Sequence, residues 1–77
     1  MAQNIGANST ALGDGTIAAS KNQIVIGSFN VPNLSNSKNP NEKGDYAFIL
    51  GNGLNDETRN NALTIDWDGN IITNGII

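Results

Sequence analysis

The stretch Asn8–Gly13 has the sequence NSTALG, and the same pattern returns 14 residues later as NQIVIG at Asn22–Gly27. A third copy, YAFILG at Tyr46–Gly51, follows at a longer offset, which equals one further period plus an insertion of ten residues. A unit of this size holds one or two short strands and cannot bury its apolar side alone, so neighbouring units must stack. The repeat therefore predicts coils of about 14 residues stacked as in a β-roll or β-solenoid.

Helical structure does not fit this pattern. A helix through Thr10–Gly27 would contain Gly13 and Gly15 and would show no sustained apolar face of helical period. The run Ile24–Ile26 is β-branched throughout, which is typical of a strand. The 14 asparagines and 9 glycines favour frequent tight turns, because both residue types tolerate left-handed backbone conformations. We therefore predict an all-β fold.

The segment Asn61–Asn70 predicts a C-terminal β-hairpin. Apolar and polar residues alternate along it as in a half-buried strand, and Asp68–Asn70 supplies the left-handed positions of a tight turn. Trp67 is predicted to cap the apolar end of the core or to pack between chains. The predicted core and turn positions of the whole chain are Gly13, Ile24, Ile26, Gly27, Leu50, Gly51, Leu63, Ile65, Trp67 and Gly69.

The chain divides into three segments of one structural domain. Residues 1–27 form the first repeats, residues 28–45 form a polar insertion, and residues 46–77 form a further coil and the hairpin. The insertion is rich in Asn, Ser and Pro, and these residues predict a surface loop. Two interpretations stay open, a simple connector or a loop that contacts a receptor. In the second interpretation, the candidate contact residues are Asn33, Ser35, Asn36, Lys38 and Asn39.

Length and composition favour self-association. A domain of 77 residues buries a comparatively small share of its surface, and such domains rely on disulfides, a structural metal or oligomerisation. The chain has no Cys and no His, so oligomerisation remains, and the predicted partner is the chain itself. Its 4 Lys and Arg residues are scattered among 7 Asp and Glu residues, which argues against nucleic acid as a partner. The apolar stretches are too short to cross a membrane.

The sequence shows no catalytic or metal-binding constellation. Asp56 and Glu57 lie in a polar stretch without the apolar surroundings expected of catalytic carboxylates. Asp66–Asn70 looks like the start of a calcium-binding loop, but Ile71 and Ile77 occupy the positions that need Gly and a bidentate Glu. We therefore expect a non-enzymatic protein without cofactor or metal, in which Asp66–Asn70 is a turn.

Two parts of the chain resemble known families. Asn8–Gly13 and Gly15–Ala18, with the copy that ends at Gly27, resemble the head repeats of trimeric autotransporter adhesins. Those heads are left-handed parallel β-rolls in which three chains wind side by side. Tyr46–Gly53 followed by Arg59–Asn70 is similar to segments in tail-fibre and minor structural proteins of phages and prophages from Gram-positive bacteria.

These resemblances imply an intertwined homotrimer that forms a structural segment of a phage tail fibre or similar appendage. The segment would support or present a receptor-binding surface in the virion tail, and its outside partner would be a cell-surface receptor or a glycan. The alternative is a head fragment of a bacterial surface adhesin that binds host or matrix directly. Ile24–Ile26 is bulkier than the small residues of adhesin heads, and the insertion interrupts the repeats, so the phage interpretation is preferred.

Overall fold

The computed structural model describes residues 1–75, and within that range it contains seven β-strands and no helix. The prediction of an all-β fold is therefore confirmed. Ile76 and Ile77, which end the predicted segment 46–77, lie outside the described residues. The strands are β1 Gln3–Asn4, β2 Thr10–Leu12, β3 Ile17–Ala18, β4 Ile24–Ser28, β5 Tyr46–Asn52, β6 Asn61–Asp66 and β7 Ile71–Thr73.

The strands form two sheets whose parallel pairs follow the repeat. β1 and β3 form a two-stranded sheet, and the other five strands form a second sheet in the order β2-β4-β5-β6-β7. Parallel pairing joins Gln3 to Ile17 and Thr10 to Ile24, and each pair is separated by one period of the repeat. Ile24 pairs in turn with Phe48, which lies at the longer offset produced by the insertion. The short and the long offset between copies of the repeat are therefore the separations between residues that pair in the parallel strands.

The end of the five-stranded sheet is antiparallel. β6 pairs with β5 on one side and with β7 on the other, which confirms the predicted C-terminal β-hairpin. Gly69 in its turn has a φ of 87°, a left-handed conformation that glycine adopts without steric cost. The Oδ1 atom of Asp66 accepts hydrogen bonds from the backbone N–H groups of Asp68 and Asn70, each at 2.9 Å. The Asp66 carboxylate therefore holds the turn closed.

The core of the chain lies between the two sheets and is small. Within residues 1–75 it contains five buried hydrophobic residues, of which three are alanines: Ala11, Ala18, Ala19, Val25 and Ile49. Ala11, Val25 and Ile49 stand in one row because they are paired across β2, β4 and β5. Ala18 of β3 packs against this row from the other sheet.

Side-chain amides complete the hydrogen bonding of the short strands. Asn30 is fully buried, and its amide accepts the N–H of Ile17 at 2.8 Å and donates to the Ile17 carbonyl at 3.0 Å, as a paired strand would. The Oδ1 atom of Asn4 accepts the N–H of Ala11 at 3.1 Å and caps the free edge of β2. Because buried backbone groups need partners, these asparagines replace neighbouring strands.

The apolar residues predicted as core lie mainly on the other side of the five-stranded sheet. Ile24 is 46% exposed, and Trp67 is 38% exposed. Four more of them are half-buried: Ile26, Leu50, Leu63 and Ile65. Successive side chains of a strand point to opposite faces, and β1 and β3 cover only the face that carries Val25. The structure therefore does not place these residues in the core of the single chain, which the alternate residues Ala11, Val25 and Ile49 fill. Packing of Trp67 between chains, the second arrangement predicted for it, stays a prediction.

The glycines that end the repeats stack on one another. Gly13 and Gly27 have φ values of 117° and 103°, and Gly27 pairs with Gly51 across β4 and β5. A Cβ atom on Gly13 would overlap the carbonyl oxygen of Gly27, and a Cβ atom on Gly27 would overlap that of Gly51. The backbones of successive repeats approach too closely at this corner to admit a side chain, which explains why each repeat ends in glycine.

Candidate assembly face and insertion loop

The side of the five-stranded sheet that faces away from the core is covered by two rows of side chains, and we call it the outer face. Strand register defines both rows, since paired residues point to the same side of a sheet. The first row is Thr10, Ile24, Phe48, Ile65 and Ile71, and the second is Leu12, Ile26, Leu50, Leu63 and Thr73.

The outer face exposes large hydrophobic side chains without any charge. Leu12 is 61% exposed and Ile71 is 60% exposed, and Ile24 between them remains almost half exposed. Eight of the ten residues are apolar, and the other two are threonines. Contiguous apolar patches of this kind are rare on monomeric soluble proteins and mark interaction surfaces. The outer face is therefore the candidate functional surface of the chain.

No protein-family profile, curated protein or solved structure matches this chain. The resemblances to phage tail-fibre proteins and to adhesin heads stay predictions.

Polar groups border the outer face in the direction of the strands, beyond the first row on one side and beyond the second row on the other. At the hairpin end, the ammonium group of Lys43 lies 4.3 Å from the centre of the Trp67 ring, a favourable cation–π contact. At the opposite end, Ser28 and Asn52 follow the apolar residues of β4 and β5 as a pair. The Ser28 hydroxyl donates to the Gly53 carbonyl at 2.9 Å. The apolar rows thus have a polar rim, as interaction surfaces commonly do.

The insertion packs against the corners of the first two repeats and leaves the outer face open. Ala7, in the corner after β1, donates its N–H to the Pro40 carbonyl at 2.8 Å. Lys21, in the corner after β3, donates its N–H to the Glu42 carbonyl at 3.0 Å. The insertion is therefore a docked loop, fixed to the repeats by backbone hydrogen bonds.

Two of the five predicted contact residues have structural roles. Asn33 is half-buried, and its Oδ1 atom accepts the backbone N–H groups of Asp45 at 2.9 Å and Tyr46 at 3.1 Å. The same oxygen accepts the Nε2 group of buried Gln23 at 3.3 Å. Ser35 is buried, and its hydroxyl accepts the N–H of Asn39 at 2.9 Å. These two side chains shape the insertion from inside.

The other three predicted contact residues, Asn36, Lys38 and Asn39, are exposed. Lys38 has a φ of 58°, so a left-handed turn displays this part of the insertion. Side chains held in a fixed, exposed turn suit contact with an outside partner. Three of the five predicted residues are thus exposed for contact with a receptor, whereas the side chains of Asn33 and Ser35 are engaged within the insertion.

Replacing Asn33 tests this division of roles. We expect Asn33→Ala to lower the free energy of unfolding by about 1–3 kcal/mol, because three donors lose their acceptor. Asn36→Ala, at an exposed position of the same loop, should change it by less than about 0.5 kcal/mol. Urea unfolding followed by circular dichroism measures both. Equal losses at the two positions would contradict the structural role of Asn33.

Arg59 joins three parts of the chain, and its sequence context does not reveal this. Its Nη1 group donates to the carbonyl oxygens of Gly15 at 2.8 Å and Asn30 at 3.1 Å. Its Nη2 group lies 2.5 Å from the carboxylate of Asp56, and the guanidinium lies 5.5 Å from the centre of the Phe29 ring. A cleft of about 300 Å³ lies beside these groups. Because the guanidinium donors are engaged in holding loops together, we assign Arg59 a structural role.

The acidic hairpin turn is closed by its own hydrogen bonds. The side-chain amide and backbone N–H of Asn70, with the N–H groups of Asp68 and Gly69, hold the pKa of Asp66 below its usual value. These donors occupy both carboxylate oxygens, which confirms the predicted turn.

Among residues 1–75, no three His, Cys, Asp or Glu side chains are grouped as they would be to hold a metal ion. The same residues include no helix suited to crossing a membrane.

Proposed function

We propose that this chain is a non-enzymatic structural segment of a homotrimeric fibre, such as a phage tail fibre, that supports or presents a receptor-binding surface. The observation that carries the proposal is the small core. The five buried hydrophobic residues of the described range, three of them alanines, give the isolated chain little apolar burial. A chain without Cys or His has neither disulfides nor histidine-held metals to compensate, so burial between copies supplies the missing stability.

The parallel registers support a repetitive architecture for this segment. Two ladders, one in each sheet, repeat with the period read from the sequence, and the third repeat keeps the same pairing despite its insertion. Such pairing is the arrangement expected of stacked β-roll or β-solenoid coils, in which each unit contacts mainly its neighbours. Repetition of this kind suits a fibre, because length grows by adding units of the same shape.

Two carboxylates support the non-enzymatic part of the proposal, because both already have partners within the chain. The Asp56 carboxylate contacts Arg59, and the Asp66 carboxylate closes a turn. Neither is paired with a histidine, since the chain contains none. We therefore assign these acids to the maintenance of loop structure.

The mass of the protein in solution tests the proposal. We expect sedimentation equilibrium at micromolar concentrations to give three times the chain mass of 8.1 kDa. Thermal unfolding should also shift to higher temperature as the protein concentration rises, because assembly is coupled to folding. A folded monomer at every concentration would contradict the proposed function.

The exposed turn of the insertion favours one alternative, a bacterial surface adhesin fragment that binds host or matrix directly. A variant with alanine at Asn36, Lys38 and Asn39 discriminates between the two functions. If the chain is itself adhesive, the variant keeps its mass and stability but loses adsorption to the host cell or matrix. Unchanged adsorption supports the structural function, with the receptor contact elsewhere in the fibre.

A further inference from the structure

The ten residues of the outer face combine three properties that define a binding surface. They are predominantly apolar, they carry no charge, and their most exposed members, Leu12 and Ile71, lie on strands at opposite edges of the sheet. Five strands spaced about 4.8 Å apart give the outer face a width of about 20 Å. The surface is therefore a continuous strip across the sheet and not a set of isolated side chains.

The outer face is also regular in shape. The irregularities in β5–β6 pairing lie between Tyr46 and Phe48 and between Leu50 and Gly51, outside the two rows. Between them, Phe48 to Leu50 pair with Ile65 to Leu63 without interruption. Because bulges bend and twist a sheet locally, their absence within the rows leaves a surface on which a similar surface can pack.

The charge distribution favours a further copy of the same chain as the occupant. Identical chains with a net charge of −3 repel one another, and contact through a surface without charges keeps their acidic groups apart. The outer face is such a surface, since all acidic residues lie elsewhere in the sequence. A basic or acidic partner would instead require complementary charges among the ten residues, and there are none.

We infer that copies of this chain assemble through their outer faces, which surround the common axis of the trimer. This inference rests on the proposed homotrimer and assigns the surface that forms it. The two apolar rows then build a shared core between the chains. The docked insertion, held at the corners after β1 and β3, lies outside this core. Asn36, Lys38 and Asn39 would therefore face the exterior of the fibre.

A pair of matched lysine variants tests the inference. Ile24 on the outer face and Leu34 in the insertion are both 46% exposed, and lysine changes the net charge equally at either position. We expect Ile24→Lys to raise the dissociation constant of the assembly about a hundredfold or more, because like charges are forced together at the shared core. Leu34→Lys should change it less than about threefold, since rim and surface charges contribute little. Sedimentation velocity over a concentration series measures both.

A second pair of lysine variants keeps the test valid if a variant of the first pair fails to fold. Leu12→Lys on the outer face and Ile5→Lys outside it replace residues that are 61% and 54% exposed, and circular dichroism checks that each variant is folded. Loss of the trimer in the outer-face variants alone supports the inference. A wild-type trimer that tolerates both outer-face lysines overturns the inference but leaves the proposed function intact. A monomeric wild-type protein overturns both.

Discussion

Replacing Gly27 with alanine is expected to destabilise the folded state by about 4 kcal/mol or more. Gly27 has a φ of 103°, which costs an L-residue about 1–3 kcal/mol. The added Cβ atom would also overlap the Gly51 carbonyl oxygen, which belongs to the paired backbone of β5 and cannot move alone. We expect a total loss of about 4 kcal/mol or more, against a stability of roughly 4–12 kcal/mol for a domain of this size.

Two other glycines separate the conformational cost from the steric cost. Gly69 has a φ of 87° but an added Cβ would meet nothing within 4 Å, and the space around Gly75 is equally open without a left-handed φ. We expect Gly69→Ala to cost about 1–2 kcal/mol and Gly75→Ala less than about 0.5 kcal/mol. Circular dichroism with urea unfolding ranks the three variants. A Gly27→Ala variant no less stable than Gly69→Ala would refute the close stacking of the repeats.

Truncation of Ile49 is the second change for which we expect a large effect. Ile49 is fully buried, and it stands in the row with Ala11 and Val25. Ala11 and Val25, the other two buried residues of the row, have smaller side chains than Ile49 and cannot fill the space that Ile49→Ala leaves. We expect the free energy of unfolding to fall by about 3–5 kcal/mol, near the upper end for such substitutions.

Ile5 provides the matched control for this substitution. It is 54% exposed and belongs to neither row of the outer face, so Ile5→Ala should cost less than about 1 kcal/mol. Urea unfolding at one fixed protein concentration compares the two variants, because assembly makes stability depend on concentration. Similar losses for Ile49→Ala and Ile5→Ala would show that the core does not lie between the two sheets.

The sequence was informative wherever a local pattern determines the structure. The repeat of Asn8–Gly13 at Asn22–Gly27 predicts the parallel register because equivalent residues of stacked units pair with one another. The hairpin at Asn61–Asn70 is equally local, since a turn of Asp, Gly and Asn follows an alternating strand. The glycine corners follow from the same repeat. These features need no knowledge of what packs on which side.

The direction in which each strand faces could not be predicted in this way. Ile24–Ile26 is apolar throughout, so its sequence does not distinguish the two faces of the strand, and only the position of the second sheet decides which one is covered. That sheet consists of two-residue strands, Gln3–Asn4 and Ile17–Ala18, and Gln3–Asn4 carries no strand signal in the sequence. The larger isoleucines were therefore expected inside, where the structure places Val25.

The candidate contact loop was only partly predictable for a related reason. Composition alone marks residues 28–45 as a loop, and Asn33 and Asn36 look equivalent in such a segment. Their roles differ because the Asn33 oxygen accepts hydrogen bonds from Gln23, Asp45 and Tyr46, all distant from it along the chain. Contacts of that range depend on the way the insertion docks, which no local pattern encodes.

The order of the five-stranded sheet follows the order of the chain, with β2 at one edge and β7 at the other. A pulling force applied between Thr10 and Thr73 would consequently pass through each pair of adjacent strands in turn. Every pair of adjacent strands would bear the full tension, and no disulfide cross-link would relieve the weakest pair. The edge strands β2 and β7 have three residues each, whereas β4, β5 and β6 between them are longer, so the molecule is expected to lengthen step by step as its edge strands detach before the central ones.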